Sequence, residues 1–249
     1  MKKIVSYSIQ ENGIAVVKMN DVERKNVFSD ALIEGLISTV DELETSHSPR
    51  VMILSGLPDI FSGGAEKETL IALSDGKLLV KDLLISEKLL NTSFPVVAAM
   101  EGHAIGGGFV MAVCCDIVVA ARESRYGTVF MNMGFTPGMG CTVLLADLVG
   151  QYIANEMMFT GKRFKGKELA QKSTNINYIL PKADVLPKAT DIALQICEKN
   201  IKSIRLLKYT LSARKKKLLI DARVQEDLMH RISFGFPETK GIINSFYVE

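Results

Sequence analysis

Two short stretches, "FSGGAE" (61–66) and "GHAIGGGFV" (102–110), decide most of what this chain can fold into. Each follows an apolar run and precedes a helical pattern. A strand that ends in glycines and turns straight into a helix leaves the first helical N–H groups unpaired, at the positive end of the helix dipole. Glycine lets another group approach those N–H groups closely. Such a loop binds a phosphate or holds a developing oxyanion; the alternative is that its glycines only allow tight packing of helix on strand. The pair says more than either member, because two such loops can aim N–H groups at one carbonyl oxygen. No lysine follows Gly108 and no G-x-G-x-x-G occurs, so nucleotide binding is the weaker reading.

The segments around the loops alternate. "KIVSYSIQENGIAVVKMN" reads as a hairpin about Asn12-Gly13. Ser29 caps a helix that repeats Leu32, Ile33, Leu36, Ile37, Val40 and Leu43 at three- and four-residue spacing. "VMILSG", "VVAAM" and "DIVVAA" are short buried strands, "YGTVFM" is expected to be another, and "KLLVKDLLISEKLL" is helical. Strand–helix repetition on so short a pitch implies parallel strands with helical crossovers. From about Thr142 the pattern is almost wholly helical, with turns at Gly161 and Gly166. With 249 residues, 47% of them apolar, the chain can bury one large core, and nothing forces a second domain.

Composition excludes several functions. A net charge of +2 with 23% charged residues does not suit a nucleic-acid-coating surface. Cys114, Cys115, Cys141 and Cys197 lie in apolar surroundings without C-x-x-C spacing and read as reduced thiols of a cytoplasmic protein. Three histidines make a multi-histidine metal site improbable. The N-terminal residues lack the apolar region of a signal peptide, and no run approaches the ~18 apolar residues of a membrane span. The expectation is a protein without metal, membrane or nucleic-acid partner.

In their order, "FSGGAE", "PVVAAMEGHAIGGG", "DIVVAARESRYGTVFMNMGFTPGMGCT" and "MMFTGKRFKGKELAQKS" resemble the crotonase (enoyl-CoA hydratase/isomerase) superfamily over nearly the whole chain. The resemblance implies an α/β spiral of ββα repeats, with a core over 1–190 and a helical, dependent C-terminal region over 191–249. It also implies a homotrimer or dimer of trimers, a thioester of coenzyme A or an acyl carrier protein as substrate, and an oxyanion hole from the N–H groups of Ala65 and Gly107. Gly64, Gly106, Val110 and Phe130 are then expected around the substrate pocket.

Hydratases of this superfamily carry two glutamates. Here Val110 and Phe130 take those positions, and neither side chain can move a proton. Water addition is therefore improbable. An apolar pocket beside an oxyanion hole suits loss of CO2. Through "AAMEGHAIGGG", "GFTPGMG" and the "H-x-x-S/T-F" context, the chain resembles the superfamily branch that decarboxylates 3-methylglutaconyl thioesters in polyketide β-branching. That branch implies a histidine and a lysine in place of the glutamates. His230 fits the first role; Lys77, with Lys81 as runner-up, is the choice for the second. A packing or surface role is the alternative for each, and His103 reads as structural. The thioester is itself the electron sink, so no cofactor is needed. A double-bond isomerase and a non-catalytic thioester-binding protein remain the alternatives. Lys215, Lys216 and Lys217 end a basic stretch that is either a solvated helix end or a docking patch for an acidic carrier protein or coenzyme A phosphates.

Overall fold

The structure, a computed structural model, describes residues 3–77 and 84–247. Strands β1 (Val5–Ile9) and β2 (Ile14–Met19) form the antiparallel hairpin expected about Asn12-Gly13. The turn closes with Gly13 N–H donating to the Gln10 carbonyl (2.8 Å), and Gly13 takes φ +88°. After β3 (Val27–Phe28) comes α1 (Asp30–Glu42), whose Leu32 N–H donates to the Ser29 hydroxyl at 3.3 Å. Leu32, Leu36, Val40 and Leu43 are buried, as their spacing requires.

Three units then repeat one plan. β4 (Val51–Ser55) is followed by β5 (Ile60–Ser62) in a second sheet, and β6 (Gly64–Ala65) leads into α2 (Lys67–Ser74) and α3 (Ile85–Leu90). β7 (Val96–Met100) and β8 (His103–Ile105) lead into α4 (Gly107–Val113). β9 (Ile117–Ala121) and β10 (Arg125–Gly127) lead into α5 (Cys141–Val149). In each unit the first strand joins a six-stranded sheet and the second a four-stranded one. The remaining elements are α6 (Gln151–Thr160), β11 (Arg163–Lys165), α7 (Gly166–Ala170), β12 (Tyr178–Leu180), α8 (Lys182–Cys197), α9 (Ile201–Phe234) and α10 (Thr239–Phe246). The sheets run β1-β2-β4-β7-β9-β12 and β11-β10-β8-β5, with β3 and β6 paired separately. Successive units thus lie side by side, which is the expected spiral of ββα repeats.

The centre of the larger sheet is covered on both faces, so β7 and β9 are apolar at every position. Met52, Leu54, Val96, Ala98, Val118 and Ala120 face the main core, while Ile53, Val97, Ala99 and Val119 face Val185, Ala189 and Ala193 of α8. This period of two, apolar on both sides, explains runs such as "VVAA" and "IVVAA".

Two expectations need correction. β10 stops at Gly127, and Phe130–Met133 form a short 3₁₀ turn instead of a strand. β10 pairs with Ile105 at that point, and Ile105 is the last residue of β8 before the chain turns into α4, so no partner remains. The C-terminal half also contains strands, β11 and β12, each three residues at a sheet edge and too short for periodicity to reveal. The division after residue 190 falls inside α8, and α9 lends Leu219 and Phe234 to the main core.

Part of the basic stretch is internal. Lys208 is buried and bonds both Asp116 oxygens (2.9 and 2.8 Å), while Asp116 also accepts from Val96 N–H at 2.8 Å. Arg214 pairs with Asp147 at 2.6 Å. Lys208→Ala is therefore expected to lower the unfolding free energy by about 2–4 kcal/mol, because it strands Asp116 without its cation. Lys217→Ala, on an exposed position, should be close to neutral in the same urea titration. Equal effects would show that the Lys208–Asp116 pair contributes no more than a surface lysine.

Candidate active site

The two glycine loops meet backbone to backbone. A Cβ built on Gly64 would lie 2.6 Å from the Ile105 carbonyl oxygen and 3.4 Å from Gly107 N, and Gly64 takes φ +83°. Only glycine allows that approach. β6 is held on the other side by β3, with Ala65 opposite Phe28. Gly106, at φ +55°, turns the chain out of β8, and Gly107 is the first residue of α4. Its N–H has no carbonyl four residues back within the helix. A Cβ at Gly107 would lie 2.6 Å from the Phe28 ring, and one at Gly108 would lie 2.6 Å from the Ser62 side chain. The triplet is thus filled from three sides, and the N–H groups of Ala65 and Gly107 belong to the same small region.

Beside them lies a small cavity of about 30 Å³, lined by Phe28, Ala65, Thr69, Leu70, Leu73, Gly107, Phe130, Phe135, Gly138, Met139 and His230. His230 is its single titratable lining group. The ring stacks on Phe234 (5.5 Å between centroids) and lies tilted at 6.2 Å from Phe135, and its buried Nδ1 has no hydrogen-bond partner. Burial pushes its pKa down to about 4, which leaves a neutral imidazole at physiological pH.

Sequence reasoning missed Glu226, one helical turn before His230 on α9. Its carboxylate is buried and accepts from Gly140 N–H (2.7 Å), Thr142 N–H (3.0 Å) and the Thr142 hydroxyl (2.6 Å). It caps α5, which has no capping side chain of its own. It also fixes the loop carrying Met139, a non-glycine residue at φ +64° whose side chain lines the cavity. The four-residue spacing of Glu226 and His230 carried this signal, since it puts both on one helix face.

The other expected site residues fall in different places. Phe130 lines the cavity. Val110, Gly64 and Gly106 do not: Val110 is fully buried on α4 behind the lining, and the two glycines shape the loops. Lys77 is not among the lining residues either. Its side chain is 73% exposed and pairs with Asp75 at 3.2 Å. Lys81 lies outside the described residues. His103 accepts at Nδ1 from Arg125 N–H (2.9 Å), a structural role as expected. Lys215 is no free docking cation: its Nζ bonds the carbonyls of Val113 (2.9 Å) and Cys115 (3.1 Å) at the C-terminal end of α4. Lys216 sits half-buried near the Tyr209 ring, and Lys217 is exposed. Among the described residues no cluster of three metal-ligating side chains occurs, and no helix is long and apolar enough to cross a membrane.

A spiral of ββα units with paired glycine loops beside a small apolar cavity defines a crotonase-type protein. Residues 9–246 match the enoyl-CoA hydratase/isomerase family, and the chain belongs to it. It is 35% identical over 237 residues to the bacillaene synthase decarboxylase PksI of Bacillus subtilis (strain 168), covering 95% of each chain. A solved structure from a dehydratase/decarboxylase enzyme couple involved in polyketide β-branching superposes with a TM-score of 0.95 at 34% identity, over 99% of this chain and 100% of that one. The ECH2 decarboxylase domain of CurF from Lyngbya majuscula superposes with a TM-score of 0.92 at 33% identity, over 98% and 100%.

The depressed pKa of His230 has a measurable consequence. The unfolded chain takes up this proton near the ordinary value of 6.5, the folded chain only near 4. Stability from this group is complete above about pH 6.5 and is lost as pH falls to 4, with a full span of ~3 kcal/mol. Urea unfolding between pH 7 and pH 4.5 should therefore cost the wild type about 2 kcal/mol more than His230→Phe. Parallel losses in both proteins would mean that the imidazole is solvated.

Proposed function

We propose that this protein decarboxylates a 3-methylglutaconyl-type thioester, carried on an acyl carrier protein, to a 3-methylcrotonyl-type thioester in polyketide β-branching. The observation that carries this reading is the cavity: almost wholly apolar, next to the loops that carry the Ala65 and Gly107 N–H groups, with no carboxylate on its lining and one neutral histidine. The likeness to decarboxylases at 33–35% identity over almost the full chain supports it.

The bond between the distal carboxylate and its carbon breaks, and its electron pair flows through the conjugated enoyl system to the thioester oxygen. The N–H groups of Ala65 and Gly107 stabilise that oxygen, each by ~3–4 kcal/mol of barrier. The apolar walls disfavour the compact carboxylate more than the delocalised dienolate. A neutral His230 does not hold the carboxylate by charge, so it does not stabilise the ground state. Once CO2 has left, the negative dienolate raises the imidazole's affinity for a proton. His230 then relays a proton from water to carbon. The lysine role stays with Lys77 or Lys81, on the segment after α2; for Lys77 to serve, it must leave Asp75.

We also place a self-association surface on α9. Ile220, Val224, Leu228 and Ile232 recur every four residues, each more than half exposed. Apolar ridges of this kind mark interfaces, and the family resemblance makes copies of the same chain the occupant of this one, in a trimer or double trimer. Lys216 and Lys217 remain as carrier-docking cations.

Two experiments test these readings. Incubation with 3-methylglutaconyl thioester on carrier protein and on coenzyme A, followed by mass spectrometry, should show loss of CO2. Crotonyl thioester should not be hydrated, and His230→Ala should lower turnover by about 10²-fold. Double-bond migration without mass loss would establish an isomerase, and no reaction would leave a binding protein. In light scattering, Val224→Glu with Leu228→Glu should shift the protein from oligomer to monomer; an unchanged mass would place the interface elsewhere.

A further inference from the structure

The C-terminal segment reaches back across the whole chain to the first oxyanion loop. The Tyr247 hydroxyl donates to the Ala65 carbonyl at 2.7 Å. Three further contacts tie the preceding helix to the same region. Lys240 pairs with Asp75, at the end of α2, at 2.8 Å. The Thr239 hydroxyl contacts the Gly134 carbonyl at 3.1 Å, at the end of the turn that carries Phe130. Ile243 is fully buried, and a Cβ on Gly134 would lie 3.0 Å from Ile242. Thus α10 straps α2 to the Phe130 turn, and Tyr247 ends the strap on the oxyanion residue itself.

We infer that Tyr247 is a positioning residue for the oxyanion hole, setting the direction of the Ala65 N–H through the Ala65 carbonyl. The inference rests on the reading of Ala65 as an oxyanion donor. β6 is only two residues long, so strand pairing alone holds Ala65 weakly. Its two peptide planes share one Cα. With β3 bonding one side of the loop and Tyr247 fixing the carbonyl on the other, the N–H has one direction left. Partial burial of the hydroxyl end of a ring that is otherwise exposed, with the Glu68 and Glu66 carboxylates near, pushes the Tyr247 pKa up to about 12, so the hydroxyl remains a donor at neutral pH. A preorganised donor costs no reorganisation when charge develops, and a small misplacement is expensive in rate.

The test is Tyr247→Phe, which removes the hydroxyl and keeps the ring. The readout is the infrared carbonyl stretch of a ¹³C-labelled isovaleryl-pantetheine thioester, a saturated ligand that cannot react. The wild type should lower the stretch relative to free solution, and Tyr247→Phe should keep less than half of that shift. Decarboxylation should fall about tenfold in kcat with KM within about twofold, since ground-state packing is untouched. Lys240→Met, which loosens the strap without touching the ring, should lose a smaller part of the shift and serves should the phenylalanine variant misfold. A full shift in both variants overturns the inference while leaving the oxyanion hole intact. A wild-type stretch at its free-solution value removes the oxyanion hole and the inference with it. A wild-type shift without CO2 release from 3-methylglutaconyl thioester overturns the decarboxylase reading alone, and the role of Tyr247 is still decided by its own shift.

Discussion

Everything at the site depends on one approach of backbone to backbone. The loop at Gly64 lies so near the Ile105 carbonyl and Gly107 N that no Cβ fits between them. A side chain there would push the N–H groups of Ala65 and Gly107 apart, and the twist of the spiral would have to absorb the displacement. The packing beneath does not allow this: Ser62 fills the space against Gly108, its hydroxyl donates to the Asn26 carbonyl (2.7 Å), and Asn26 is itself buried and bonded to Phe61 and Met19. Interiors of this density shift as units instead of yielding locally. The donors are therefore fixed by the core, and the fold is a rigid mount for two N–H groups.

The second organising element is α9, several of whose inward polar groups answer charges and helix ends packed against it. Buried or half-buried positions recur at three- and four-residue spacing from Ile204 to Phe234. Lys215 places a cation on the C-terminal carbonyls of α4, where the dipole is negative. Eleven residues on, Glu226 places an anion on the N-terminal N–H groups of α5, where the dipole is positive. The signs are those the helix dipoles favour. Between and beyond them, Lys208 neutralises Asp116, and Ser233 contacts Thr136 in the loop leading to Met139. One turn after Glu226 the helix delivers His230 to the cavity. The imidazole is thus placed by a helix pinned at four polar points, and its position is as firm as that of the loops it faces.

This arrangement explains what was legible in the sequence and what was not. Hairpin, capped helix and buried strands follow from period and turn chemistry, which are local, and the structure has them. The meeting of the two glycine loops was legible because glycine leaves a mark wherever backbones must touch. "YGTVFM" misled because β propensity cannot tell that the partner strand ends at Ile105. The run "SARKKK" looked like solvated charge, yet Lys215 and, further back, Lys208 point inward, a fact settled only by which helix ends lie against α9. Glu226 was hidden for the same reason: its partners are 84 and 86 residues away. Lys77 shows the converse. Its place on the chain suits the proton-transfer segment, while its side chain stands in water beside Asp75.

The chemistry follows from which charges the cavity admits. A hydratase must keep carboxylates close to the thioester to activate water, and their charge has to be sustained by neighbouring polar groups. Here those positions are apolar, His230 is neutral, and the one buried carboxylate nearby, Glu226, is spent on the N–H groups of α5. On the proposed reading the Ala65 and Gly107 N–H groups serve the thioester oxygen, and no cationic side chain lines the cavity to hold a carboxylate. A substrate bound by its thioester oxygen carries its distal carboxylate into surroundings that do not solvate it. In the proposed reaction, loss of CO2 converts that localised charge into one that is spread along the enoyl system and reaches those two N–H groups. The same walls that raise the energy of the reactant leave the product anion supported, and that difference is what an enzyme can use to lower a barrier.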